Sequence, residues 1–233
     1  MLDGEEAFVR RSVAGLDLMA RYKLNRLHWH LADDQGWRVP IRGLEAFARV
    51  GAVRASVGAT ESLADRDVGR DYGPYAYTRE EIGEIVRYAK ARHIRIVPEV
   101  DLPGHCRMAL KAYPHLGCFP DGNGAPEDAV DNVLCLGDER TFETVKGILD
   151  GLCELFPDSE MIHVGGDEAN RANWDACPKC RARKALVGAR DGAGLQADFT
   201  ARMAAHLKEK GRRLVGWDEI LAGGMAPEGT VVM

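Results

Sequence analysis

Apolar positions recur at helical spacing between Val9 and Tyr22, at Val13, Leu16, Met19 and Ala20, and the run Leu24 to Leu31 that follows reads as a short strand. The same order of helix then strand returns along the chain. Thr78 stands three residues before Glu81, the spacing of a capping box, ahead of Ile82, Ile85, Val86 and Ala89; the segment from His93 to Asp101 then reads as a strand. A third cycle runs from Glu139 through Val145, Ile148, Leu149 and Leu152 to Met161–Val164. A fourth runs from Leu195 through Phe199, Met203 and Leu207 to Arg213–Trp217, and Gly229 to Met233 begins another strand. Helices alternating with short β-branched strands predict parallel βα units with right-handed crossovers, in a closed barrel or an open doubly wound sheet. Two stretches without periodicity, 58–74 and 117–131, predict loops; the second is rich in Gly, Pro and Asp.

The ends of the strands choose between the two architectures. Four of them switch abruptly to polar or aromatic residues: His28-Trp-His-Leu-Ala-Asp33-Asp34, Glu99-Val-Asp101-Leu-Pro-Gly-His105, Gly165-Gly-Asp167-Glu168 and Gly216-Trp217-Asp218-Glu219. In a (β/α)8 barrel all strand C-termini converge on one mouth, where several can contribute functional groups. No helix opens on a phosphate-binding glycine loop, so a nucleotide-binding sheet has little support. The expected fold is α/β, a (β/α)8 TIM-barrel type.

Composition narrows the partners. With 233 residues, 45% of them hydrophobic and 29% charged, the chain is expected to form one globular domain over 1–233 with no second domain. A net charge of −5 with both signs interspersed offers no basic block to track a phosphate backbone, so nucleic acid is not an expected partner. No apolar run approaches the roughly 20 residues that span a bilayer, and the opening residues lack a secretory pattern. Six cysteines in a chain of this length do not make a disulfide scaffold. Cys118 and Cys135 flank the Gly/Pro-rich loop and could be bridged in an oxidising compartment. Cys177-Pro-Lys-Cys180 is one Cys-x-x-Cys with no second pair at zinc-ribbon spacing, so a local disulfide or free thiols is the ordinary expectation and zinc the rarer one.

Two adjacent carboxyls, Asp167 and Glu168, are the strongest chemical signal. Neighbours on a regular strand face opposite ways, but Gly165-Gly166 lets the backbone bend so that both reach the mouth. One negative charge beside another raises a carboxyl pKa, which suits a general acid; the plain alternative is an acidic turn. Plain readings exist for the others too: His105 as a helix cap, Asp33 and Asp34 as turn residues, Trp217 as a core aromatic. Glu99 and Asp101, two apart at a strand end, share a face and belong at the mouth. His163 reads as a buried, hydrogen-bonded core histidine, and Trp29, Trp37 and Trp174 as packing or rim residues. His28-Trp-His30 could share a metal, but that chemistry needs further ligands at later strand ends, where only His105 and His163 are available.

Taken together, Leu24 to Arg38, Val97 to His105, Ile162 to Glu168 and Val215 to Ile220 resemble, in order, the signature stretches of the family 20 β-N-acetylhexosaminidases, and the resemblance runs from about Leu16 to the C-terminus. It implies a glycosidase that removes terminal β-linked N-acetylglucosamine or N-acetylgalactosamine by substrate-assisted, retaining hydrolysis, needing neither metal nor other cofactor. It implies that Glu168 is the acid and base, that Asp167 orients the 2-acetamido group, that His105 and Asp33 pair behind the acid, and that Trp217 walls the acetamido methyl. Asp34, Glu99 and Asp101 are expected to line the substrate site. Family members are often secreted, periplasmic or lysosomal, and their substrates are N-acetylhexosamine-terminated oligosaccharides or glycoconjugates. The chain departs from the pattern in having no arginine before Arg10 to grip the sugar's outer hydroxyls, and in stopping within the expected sixth strand without the small α/β domain that precedes the barrel. An incomplete barrel is therefore expected, with self-association through its open edges, and a non-catalytic sugar-binding fragment is the alternative to an active enzyme.

Overall fold

The computed structural model describes residues 4–54, 71–127 and 129–233, with side chains from Ser12 onward. Its centre is a parallel sheet of five strands: β1 (Arg26–His30), β4 (Arg95–Glu99), β5 (Met161–His163), β6 (Arg213–Gly216) and β7 (Val231–Val232), hydrogen-bonded in that order. Each strand lies beside the next one of the chain, as repeated βα units require. A small antiparallel ribbon, β2 (Ala32–Asp33) with β3 (Gly36–Trp37), follows directly on β1. The sequence pattern does not show it, because two-residue strands carry no periodicity.

The long helices are those that periodicity predicts: α1 (Gly4–Arg21) ahead of β1, and the crossovers α3 (Arg79–Lys90), α5 (Glu139–Leu155) and α8 (Gly192–Glu209). Among the described residues, four shorter helices lie between them: α2 (Ala46–Gly51), α4 (Arg107–Ala112), α6 (Ala172–Ala176) and α7 (Pro178–Val187). The capping box read from Thr78 and Glu81 is present, with Glu81 N–H donating to Thr78 Oγ1 at 3.1 Å and Thr78 N–H to Glu81 Oε2 at 2.7 Å. Asp138 and Asp191 cap α5 and α8 with their side chains, accepting from Arg140 N–H and Gly194 N–H. Arg10 and Arg11 fall within α1, as helix residues.

Leu16 of α1, Ile82 and Ile85 of α3, Phe142, Ile148 and Leu152 of α5, and Phe199, Met203 and Leu207 of α8 are buried in one cluster with Ile96, Ile162 and Leu214 of the sheet. Burying this stripe against the strands is what holds each helix in place, at about 1.5–3 kcal/mol for each large side chain. Trp37 and Trp174 are in the core, and Trp29 packs edge-on against Tyr77 and Phe156, so all three serve packing as expected.

The expected loop at 58–74 falls mostly on 55–70, outside the described residues. The 117–131 loop is tied down at several points. Gly117 bridges to Leu134, Cys106 N–H donates to Asn132 O, and Asn173 of α6 exchanges two hydrogen bonds with the backbone of Val130.

Candidate active site

Parallel register assembles the site. His30 of β1 pairs with Glu99 of β4, and Glu99 pairs with His163 of β5, so the three side chains leave the same face at the C-terminal end of the sheet. His28, two residues before His30, joins them on that face. All three imidazoles turn onto the one carboxylate: His28 Nε2 lies 2.9 Å from Glu99 Oε2, His163 Nδ1 lies 2.9 Å from Oε1, and His30 Nδ1 bonds Oε2. Glu99 is fully buried. Burial by itself would raise its carboxyl, but the close approach of the His163, His28 and His30 rings outweighs it and holds Glu99 well below the usual carboxylate range. The histidine pair on β1 thus has a carboxylate at its centre, and His163 is the buried, hydrogen-bonded residue that the sequence suggests.

A chain of polar contacts leads from this cluster to the mouth. His30 Nε2 is 3.2 Å from Asp33 Oδ2, and its hydrogen bonds to Asp33 and Glu99 push its pKa up to about 10, so the ring carries a positive charge at neutrality. Asp33 Oδ1 is 3.3 Å from His105 Nδ1. On the far side of that ring, His105 Nε2 is 3.5 Å from Asp167 Oδ2 and 3.7 Å from Glu168 Oε2. His105 therefore stands between Asp33 and the two adjacent carboxyls. It holds a left-handed backbone conformation, with φ of 48°, in the turn that follows β4.

The bend after β5 is built by glycines. Gly165 and Gly166 have φ of 68° and 96°, and Glu168 follows at 46°. A Cβ on Gly165 would lie 1.9 Å from Asp101 Oδ1, and one on Gly166 would lie 2.4 Å from Ile220 Cγ2. Only glycine allows the chain to turn this tightly against Asp101 and Ile220. The two carboxyls emerge in different surroundings: the Asp167 side chain is 26% exposed and that of Glu168 is 76% exposed. Asp167 Oδ1 is buried with no protein hydrogen-bond partner.

Asp101 lies beneath Asp167. Burial, followed by the charges of Asp167 and Glu99, pushes its carboxyl up to about 9, so it is neutral at pH 7 and has a proton to donate. Asp101 Oδ1 accepts from Gly166 N–H at 3.3 Å. Trp217, at the end of β6, is half-buried; its ring meets His163 at 4.9 Å and His28 at 5.6 Å between centroids. It forms a wall beside the histidine cluster.

Three of the residues expected to line the substrate site are engaged by neighbouring protein groups. Asp34 accepts from Arg107 N–H at 3.1 Å and from Asn132 Nδ2 at 3.0 Å, which fixes the turn carrying His105 to the 117–131 loop. Glu99 is enclosed by histidines, and Asp101 is 3% exposed beneath the Gly165-Gly166 bend. Asp34, Glu99 and Asp101 are thus buried and held by protein groups close to the exposed carboxyls. From the sequence His30 reads only as a possible metal ligand, and Asn132 carries no signal. The i, i+2 spacing of His28 and His30 was a usable signal for the first.

The profile of the glycosyl hydrolase family 20 catalytic domain matches residues 7–233. A β-hexosaminidase of Porphyromonas gingivalis is 38% identical over 223 residues, covering 93% of this chain and 27% of the relative; one from Vibrio furnissii is 36% identical and is covered over 36% of its length. Among solved structures, a β-N-acetylhexosaminidase of Bacteroides fragilis superposes with a TM-score of 0.80 at 36% identity, over 96% of this chain and 42% of that one. The exo-β-N-acetylglucosaminidase of Vibrio harveyi, in complex with N-acetylglucosamine, gives 0.82 at 33% identity, over 96% of this chain and 35% of that one. The chain thus spans between about a quarter and two fifths of the relatives it matches. The fold is of the TIM-barrel α/β type, and the chain belongs to the catalytic domain of glycosyl hydrolase family 20.

Proposed function

We propose that this chain carries the reaction centre of a retaining, substrate-assisted glycosidase that releases β-linked N-acetylhexosamine from the non-reducing end of a glycan. The observation that supports this most is the pairing of a recessed Asp167 and an exposed Glu168, both facing His105. Cleavage of a glycosidic bond needs a proton for the leaving oxygen and stabilisation of positive charge at the anomeric carbon. Glu168, at the open mouth, gives its proton to the leaving oxygen as the substrate's acetamido oxygen attacks the anomeric carbon. Asp167 accepts the acetamido N–H, orients the group and offsets the charge of the oxazolinium that forms. Glu168, now ionised, takes a proton from water as the water opens that ring, which returns the acid to its starting form.

The remaining residues support this pair. Asp101, kept neutral, donates to Asp167 and leaves it as the carboxylate. Asp33 holds the His105 ring between the mouth and His30. Trp217 presents an apolar wall against which the acetamido methyl excludes water. Residues 1–233 are read as one catalytic unit, with Asp34, Glu99 and Asp101 in positioning roles. The substrate class is an N-acetylhexosamine-terminated oligosaccharide, chitin fragments included, since one relative is an N,N'-diacetylchitobiase of Vibrio harveyi, 41% identical over 103 residues.

The test is hydrolysis of an aryl β-N-acetylglucosaminide by the protein and by its Glu168→Gln and Asp167→Asn variants. Loss of a proton donor is expected to lower kcat by about 10²–10⁴-fold. Undiminished turnover by Glu168→Gln would overturn the assignment of the acid. Asp167→Asn is expected to lower turnover of N-acetylated substrates; turnover equal to that of the parent would remove its assigned role.

A further inference from the structure

Four of the six cysteines meet at one point beside the mouth. Cys118 Sγ lies 3.7 Å from Cys180 Sγ, and Cys135 Sγ lies 3.9 Å from Cys177 Sγ and 3.7 Å from Cys180 Sγ. The four sulfurs all lie within 4.8 Å of one another. Three of these residues are buried and Cys118 is half-buried; none is disulfide-bonded. A disulfide brings sulfurs to about 2.05 Å. A tetrahedron of thiolates around zinc, with Zn–S near 2.3 Å, has edges of about 3.8 Å. The observed separations are those of the tetrahedron.

The backbone is shaped for the same purpose. Cys177 stands at the N-cap of α7 with Pro178 next, and Cys180 lies in the first turn, so the Cys-x-x-Cys segment forms a knuckle presenting two sulfurs to one side. Gly137 packs directly on the knuckle, where a Cβ would come within 2.2 Å of the Lys179 carbonyl carbon. The other two sulfurs come from the loop closed by the Gly117–Leu134 bridge and by Cys135 N–H donating to Leu116 O at 2.7 Å. Lys179 and Arg140, both paired with Asp138, lie near Cys135. Because Cys135 and Cys177 are 42 residues apart, the sequence shows one close pair and conceals the second.

We propose that Cys118, Cys135, Cys177 and Cys180 form a structural zinc site of the closed, four-thiolate type. Binding releases the four thiol protons, changes no oxidation state and leaves no coordination position for substrate. The ion ties the 117–135 loop to α7. That loop carries Asn132, which bonds Asp34 and the backbone of Cys106, so the metal braces the wall of the mouth next to His105.

Elemental analysis of the purified, exhaustively dialysed protein tests this, with cobalt exchange as a second readout. The expected result is one zinc per chain, reduced to background in Cys177→Ser and Cys180→Ser, and a cobalt-loaded protein with the intense visible bands of a tetrahedral thiolate complex. If those variants do not fold, cobalt titration of the parent protein decides alone. An intact mass lower by four hydrogens, showing two disulfides, overturns the site. So does a metal-stripped parent that binds neither zinc nor cobalt, a variant that retains full zinc, or stoichiometric iron in place of zinc.

Discussion

Asp101→Asn separates the charge of a buried carboxyl from its shape. The side chain is 3% exposed, and burial together with Asp167 and Glu99 moves its pKa from 3.8 up to about 9. With the folded value above the unfolded one, folding takes up a proton throughout the interval between them. The stability tied to this group is therefore complete below about pH 4 and is lost as pH rises toward about 9. At pH 7 the interval already crossed is about three pH units at about 1.4 kcal/mol each, so keeping Asp101 neutral costs at most on the order of 4 kcal/mol. Asparagine keeps an acceptor for Gly166 N–H and places a permanent amide donor beside Asp167. The variant is expected to be more stable than the parent by about 1–4 kcal/mol at pH 7. Its advantage should grow with pH and disappear below about pH 4. Urea unfolding followed by fluorescence of the four tryptophans, at a series of pH values, measures this. A variant no more stable than the parent at neutrality, or a gain that does not change between about pH 5 and 8, would refute a protonated Asp101.

Gly165→Ala forces a side chain onto a residue at φ of 68° and a Cβ to within 1.9 Å of Asp101 Oδ1; it is expected to cost about 3 kcal/mol or more in chemical denaturation, and a loss below about 1 kcal/mol would show that the bend tolerates a side chain. His30→Gln removes a ring whose pKa stands at about 10 because Asp33 and Glu99 bond it. Since that folded value is raised, the ring's contribution is complete below about pH 6.5 and is lost as pH rises toward about 10. The gap in melting temperature between parent and variant should accordingly narrow over that range, and a gap independent of pH would show that His30 is not held as an imidazolium.

The amino-acid sequence by itself determined the elements and their order. Helical spacing at Ile82, Ile85 and Ala89, or at Phe199, Met203 and Leu207, is local information, as is the Thr78–Glu81 capping box, and each reappears where the pattern placed it. The adjacent carboxyls after Gly165-Gly166 were legible for the same reason, since a glycine pair ending a strand signals a bend whatever surrounds it. The short ribbon of β2 and β3 and the helices α2, α4 and α6 were not, because segments of two to six residues are set by what they pack against. Tertiary structure alone decided which groups meet. Strand register, which no single strand encodes, places Glu99 between His30 and His163, and that turns a row of mouth residues into a buried carboxylate with a chain of contacts running outward. The same holds for Asp34, whose partners Arg107 and Asn132 are 73 and 98 residues away. It holds most of all for the four cysteines, because sulfurs spread over 62 residues become neighbours only once the loop after α4 closes onto the start of α7.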